Sequence, residues 1–187
     1  MTRDFSPDPL DPQLVADLVD TARHAPSAGY SQGVHFVVLS GDAVARFWQT
    51  TDAEAWFATT HDGVLRAPVI VLPIADPDAY TSRYSETDKA GHGLEIAANW
   101  EVPFWLTDTA MAVQNLLLLV EARRLGALYF GVFRNSDALL ADLGVPDGML
   151  SVGAVALGHR ASTDRPSGSA TTRPRRLSTE VVHYNHW

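Results

Sequence analysis

The sequence predicts an α+β fold: a central mixed or antiparallel sheet flanked by helices. Three observations carry this. The runs 67–74 (APVIVLPI) and 152–157 are apolar and of strand length, as for strands covered on both faces. Residues 106–124 are apolar almost all round over a helical length. The order helix, strand, helices, strand, polar segment, long helix, strand, helix, strand, tail is too irregular for successive βαβ units. At 187 residues the chain is one domain, 1–187, long enough to bury a real core.

The elements follow in order. Residues 1–10 are extended and proline-bearing. Asp11 suits an N-cap, with Pro12 at the first helical position. Leu14, Val15, Leu18, Val19 and Ala22 then share one face, with Asp17, Asp20 and Arg23 outward. Pro26 disfavours helical geometry at Ala25 and stops the helix there. Residues 26–33 form a small, polar opening loop between helix end and strand, where backbone can lie close to a ligand. Val34, Phe36 and Val38 alternate with His35, Val37 and Leu39 in a mostly buried strand. Gly41-Asp42 opens a short helix with Val44, Phe47 and Trp48, which 51–60 either continues or follows as a second helix. The run 67–74 is the central strand.

Residues 76–105 are polar, glycine-containing and weakly periodic, yet carry Tyr80, Tyr84, Trp100, Phe104 and Trp105. That composition suits a functional lid rather than a disordered segment. On the helix 106–124, Ala110, Val113, Leu117 and Val120 make one stripe, widened by Leu116, Leu118 and Leu119. Such a helix is buried on most sides or shared with a partner subunit. Gly126 marks its stop. Then come a strand or extended loop at 127–133, a short helix at 137–143, a turn at Pro146-Asp147-Gly148 and the buried strand 152–157. A C-terminal arm, 160–187, shows no core pattern before Val181-Val182.

Composition narrows the function. Net charge is −8, with 9 Lys/Arg against 20 Asp/Glu over 1–158 and 5 against 2 over 159–187. An acidic body argues against a nucleic-acid platform. The cluster Arg173-Pro174-Arg175-Arg176 suits a single phosphate better than a polymer. No apolar run reaches the ~18 residues of a membrane span, and the polar start carries no signal region. With no cysteine there is no disulfide, thiolate metal site or cysteine nucleophile, and a cytoplasmic location is expected. No dinucleotide fingerprint, P-loop or serine elbow is present. His183 and His186 have metal-pair spacing but lack a third ligand, so no metal site is expected. A chain that shows no chemistry of its own side chains suits a cofactor enzyme.

Ala25-Pro26-Ser27-Ala28-Gly29 with Gln32 and Phe36, Arg66-Ala67-Pro68-Val69-Ile70, Asp108 to Asn115 on the long helix and Leu125-Gly126-Ala127 follow one another in order. Gly131-Val132-Phe133, Val155-Ala156-Leu157-Gly158 and an arginine cluster before Glu180-Val181-Val182 complete the series. Together they resemble the FMN-dependent nitroreductase family over essentially the whole chain. The resemblance implies an intertwined homodimer with FMN at the interface, and often a C-terminal segment added to the partner's sheet. By resemblance, Pro26, Ser27, Ala28, Tyr30 and Gln32 lie against the flavin. Phe130, Gly131 and Val132 border N5, with a backbone N–H offered at Gly131. Arg3 sits near N1 and O2, and Arg173, Arg175 and Arg176 take the phosphate, Arg175 foremost. The family usually carries two basic residues ahead of Arg3, and the chain starts too late to hold them. Tyr30 stands where many members have asparagine, and Phe130 is apolar where some use glutamate.

The implied activity is hydride transfer from NAD(P)H through FMN to an electron-poor small molecule, nitroaromatic or quinone-like, with Tyr84, Trp100, Phe104 and Trp105 shaping the substrate pocket or packing at the dimer interface. Two alternatives stand beside it. One is a flavin-dependent dehydrogenase or oxidase of a small metabolite or cyclic peptide, which the ending EVVHYNHW resembles. The other is a flavin-binding or sequestering protein without turnover.

Overall fold

A computed structural model describes residues 1–166 and 168–187; Ser167, inside the C-terminal arm, lies outside the described residues. Helix α1 (Pro12–Ala22) starts as its sequence dictates: Asp11 accepts the Gln13 N–H and Pro12 stands at the first position. It buries Val15, Leu18 and Ala22 and ends three residues before Ala25. Strand β1 (Val34–Ser40) leads to α2 (Asp42–Thr50) and α3 (Ala53–Thr60), separate helices because Asp52 between them is left-handed, φ 52°. Strand β2 (Val69–Ala75) is buried at every residue, as its apolar run requires. Helices α4 (Pro77–Ser85) and α5 (Phe104–Ala122), β3 (Gly126–Phe130), α6 (Ser136–Asp142), the short β4 (Leu150–Ser151), β5 (Ala154–Gly158) and α7 (Gly168–Thr172) complete the chain.

The sheet order is β1-β2-β5-β3, with β4 also on β2, and every pairing is antiparallel. Side-chain alternation along β2 divides the core. Ile70, Leu72 and Ile74 join Phe47, Trp48 and Leu139 on the face covered by α2, α3 and α6. Val69 and Val71 join Leu18, Val113 and Leu116 under α1 and α5. A third cluster, Ala75, Tyr80 and Trp105, closes one end. That end holds the start of β1 and the exits of β2 and β3, so the opening loop and Gly131 share it. They stand on opposite edge strands, three strand spacings or ~15 Å apart.

The N-terminal residues form a strap across the other end. Thr2 donates to the Ala127 carbonyl (2.8 Å), and the Arg3 and Asp4 N–H groups both donate to Asp164 Oδ1 (3.0 and 3.1 Å). Phe5 bridges to Arg160 and is fully buried. Asp4 pairs with Arg66 and accepts from Thr163, and these bonds hold its carboxyl below the usual range.

Several expectations are corrected. β1 is an edge strand and not mostly buried: only Leu39 is buried, and Val38 is 43% exposed, because none of the described residues pairs its outer side. The segment 76–105 is less irregular than its composition. Asp76 accepts from the Asp78 and Ala79 N–H groups with Pro77 first, starting α4, whose Tyr80 is fully buried. Gly126 does not stop α5; Arg124 does, at φ 57°, and Gly126 already belongs to β3, its Cα against the Thr2 side chain. Ala110 is exposed, the buried stripe running instead through Asp108, Thr109, Ala112, Val113, Leu116 and Val120. Val181 and Val182, which the resemblance would add to a partner's sheet, lie exposed past a 3-10 turn in the single chain.

Candidate flavin site

The opening loop is held in an unusual backbone path. Gly29, Tyr30 and Gln32 all have positive φ, at 62°, 59° and 53°. For tyrosine and glutamine this conformation costs free energy and persists only where surroundings impose it, most often at functional sites. The constraints are visible. Ala28 N–H donates to Asp108 Oδ2 (2.8 Å), Gln32 N–H to Ser27 Oγ (3.0 Å), and Ser31 Oγ to the Ala28 carbonyl (2.7 Å). Arg83 Nε donates to the Gly29 carbonyl (2.9 Å). The Gly29 Cα faces the Tyr84 ring so closely that a Cβ would stand 2.8 Å from it. Gly33 is similarly enclosed, by the Tyr80 ring and the Asp76 carbonyl. Tyr30, freed of the core, is 75% exposed.

Asp108 is 2% exposed, and its Oδ2 also accepts the Tyr80 hydroxyl (2.9 Å). Burial, and then the bond to Asp108, push the Tyr80 phenol far above its ordinary value, so it stays a donor at neutral pH. Neither role was assigned from sequence. The available signal was a single acidic residue in the apolar run 104–120, which a buried helix tolerates only with partners.

Two hollows flank α3 on the other face. The first, about 650 Å³, is lined by Phe47, Trp56, Phe57, Phe130, Gly131 and Phe133 among others. The β3 ladder ends at Phe130, so Gly131 N–H is outside it, and the Phe133 ring lies over Gly131, 2.5 Å from where a Cβ would be. The second, about 330 Å³, is polar and of mixed charge, with Arg3, His61 and Arg165 on its walls beside Asp4, Asp62 and Asp164. No sequence pattern points to α3 and the 60–63 turn as walls of these hollows, because the second hollow forms only where the strap packs beside them.

The sequence-predicted residues thus fall into separate groups within one chain. Phe130, Gly131 and Val132 line the apolar hollow and Arg3 the polar one. Pro26, Ser27, Ala28, Tyr30 and Gln32 lie at the far edge of the sheet. Arg173, Arg175 and Arg176 are exposed on the arm just beyond α7. Tyr84, Trp100, Phe104 and Trp105 form one edge-to-face aromatic cluster with Tyr80 beside the opening loop. Among the described residues, no group of three or more His, Asp or Glu is placed to hold a metal, and no helix is long and apolar enough to cross a membrane.

The residues present suit FMN. A flat apolar ring fits the first hollow, which the Phe133 ring borders over Gly131, and in the second Arg3 and Arg165 are the groups suited to a phosphate, beside three carboxylates. α7 starts on the wall of the second hollow at Gly168, and its five residues advance the chain only ~7 Å. The arginines at 173–176 follow α7 directly along the chain and are exposed.

Comparison with known proteins agrees. The chain is 31% identical over 110 residues to "FMN reductase (NADPH)" of Bacillus subtilis (strain 168), covering 58% of this chain and 42% of that protein. It is 33% identical over 81 residues to "NADPH-flavin oxidoreductase" of Vibrio harveyi, covering 43% and 31%. The matches span less than half of either relative's length. Among solved structures, B. megaterium NfrA2 superposes with a TM-score of 0.75 at 15% identity, covering 100% of this chain and 70% of that one. A nitroreductase family protein of Clostridium difficile 630 does so at 0.70 and 16%, covering 100% and 93%. At these identities the likeness is one of fold. A sequence profile described as "Nitroreductase family" matches residues 1–159. That stretch takes in the strap, the opening loop, α5 and β3, and the chain belongs to the nitroreductase family.

Proposed function

We propose that the protein is an FMN-dependent oxidoreductase that takes electrons from NAD(P)H and passes them to an electron-poor small molecule, quinone-like or nitroaromatic. The observation that carries this reading is the apolar hollow along α3, which ends at Gly131 just past the β3 ladder, with a polar hollow holding Arg3 and Arg165 at the far end of the same helix. Family membership and the names of the two curated relatives support it. When bound, FMN would supply the hydride-transfer chemistry between nucleotide and substrate.

The chain's own residues bind, orient and tune. Gly131 offers an N–H where no strand partner competes. Arg3, with the arm arginines, neutralises the phosphate and polar chain. A cation near the ring also favours the negative charge of reduced flavin. The titratable side chains on the apolar hollow are Asp52 and Arg134, both exposed, so protons come from solvent.

The opening loop and Gly131 cannot reach one flavin from the same chain across ~15 Å of sheet. The reading therefore includes a homodimer in which the loop of one protomer serves the flavin of its partner. Helix α5 supports this. Phe104, Met111 and Leu118 stand seven residues apart on one line, 41%, 40% and 59% exposed, an apolar stripe with no cover in the single chain. Light scattering at micromolar concentration is expected to give a dimer, and Met111→Glu with Leu118→Glu to shift it toward monomer. A flavin-loaded monomer would refute the shared site.

The direct test is spectroscopic. The purified protein is expected to be yellow, to release FMN and not FAD, and to bleach anaerobically with NADH or NADPH. A colourless protein that fails to bind FMN at micromolar concentration overturns the reading. Flavin that binds but is not reduced by either nucleotide leaves storage without turnover.

A further inference from the structure

We propose that Arg83 and Asp88 are positioning residues that make the opening loop and the segment 86–100 one cooperative unit, so that order in the substrate-side segment sets order in the flavin-side loop. The inference rests on the reading above for the loop's role toward flavin. The mechanical link itself stands on the contacts alone.

Two consecutive residues at the end of α4 grip one peptide. Arg83 donates through Nε to the Gly29 carbonyl (2.9 Å), and its Nη1 and Nη2 donate to the two Asp88 oxygens (2.7 Å each). Nη1 also reaches Glu86 (3.0 Å). All three guanidinium nitrogens are thus used, in a planar fork that a lysine cannot reproduce. The Arg83 side chain is 21% exposed, against 63% for Asp88. The charge is therefore anchored on the loop side, and its counter-charge belongs to the outer turn. The fork holds the Asp88 carboxyl down at about 2, keeping the pair ionised at neutral pH.

A second path runs beside the first. Tyr84, against the Gly29 Cα, packs edge-on to Trp100 at 4.9 Å, and Trp100 Nε1 donates to the Leu94 carbonyl (2.7 Å). Both paths meet on Gly29, whose φ of 62° starts the loop's left-handed turn. Loosening either one frees a backbone that has no local preference for its present conformation. On the opposite side Asp108 holds the preceding peptide, Ala28. The loop is pinned from below by the core and from above by the segment 86–100, and the upper pin, through Asp88, is the solvent-exposed one.

The test is amide hydrogen exchange on flavin-free wild type, Arg83→Met, Arg83→Lys and Asp88→Asn, with FMN and riboflavin affinities measured on the same proteins. Asp88→Asn, a change on an exposed turn, is expected to speed exchange at Ala28, Ser31 and Gln32 at least about fivefold while amides of β2 and α5 stay at wild-type rates. Arg83→Met should do more, and Arg83→Lys should not rescue it. FMN and riboflavin should both weaken severalfold in Asp88→Asn, because the phosphate is not involved. Loop exchange unchanged in Asp88→Asn and Arg83→Met overturns the coupling. Faster loop exchange with FMN affinity unchanged upholds the coupling and overturns instead the placement of flavin on this loop.

Discussion

Replacing Asp108 with alanine is expected to lower the unfolding free energy by about 3 kcal/mol, because a hydrogen bond to a charged group contributes ~1.5–3 kcal/mol and a buried donor left unmade costs a further 1–3. Two donors depend on this carboxyl: the Ala28 N–H and the hydroxyl of Tyr80, which is fully buried with no water to replace the acceptor. Release of a buried charge from its desolvation cost offsets part of the loss, which keeps the figure below the sum of the parts. Asp108→Asn retains an acceptor oxygen in the same place and should cost only about 1 kcal/mol. Urea unfolding followed by far-ultraviolet dichroism measures both. Alanine within 1 kcal/mol of wild type, or asparagine as harmful as alanine, would show that the carboxyl does not organise this end of the molecule.

Changing Arg173, Arg175 and Arg176 together to alanine is expected to weaken FMN binding by ten- to over a hundredfold, since losing even one charge-assisted phosphate contact costs about 1.5–3 kcal/mol. Arg175→Ala alone should account for at least tenfold. The remaining binding should depend less on salt, and riboflavin should bind wild type and variants about equally. Arg3→Ala should behave differently, with a moderate loss of FMN affinity and a lower flavin reduction potential, because its charge acts near the ring. FMN affinity unchanged in the triple variant would make the arm a solvated appendage and leave the phosphate to Arg3 and its neighbours around the polar hollow.

Residues close in sequence were the legible ones. The cap at Asp11, the fully buried β2 and the length of α5 follow from capping, periodicity and apolar run length, which act within a few turns of chain. The opening loop was recognisable because Pro26, Gly29 and Gly33 interrupt periodicity at one place. Less visible were features whose cause lies elsewhere in the chain. Asp76 and Pro77 start α4, but its burial comes from Tyr80 meeting Asp108, 28 residues on. β1 carries a core-strand pattern and is an edge, since alternation reports apolar residues and not which neighbour will pair with them.

The sequence by itself determined the α+β class, the central strand, the long apolar helix and the family, because local preferences and a whole-chain series of short motifs survive without knowledge of contacts. Only the tertiary structure decided that Gly29 is gripped between Arg83 and Tyr84, that Asp108 supports the loop from within the core, and that the end of α3 meets the strap at one polar hollow. Each of these depends on side chains from separate elements meeting within hydrogen-bond or van der Waals distance. Such meetings are set by how helices and strap settle on the sheet, which no local pattern encodes.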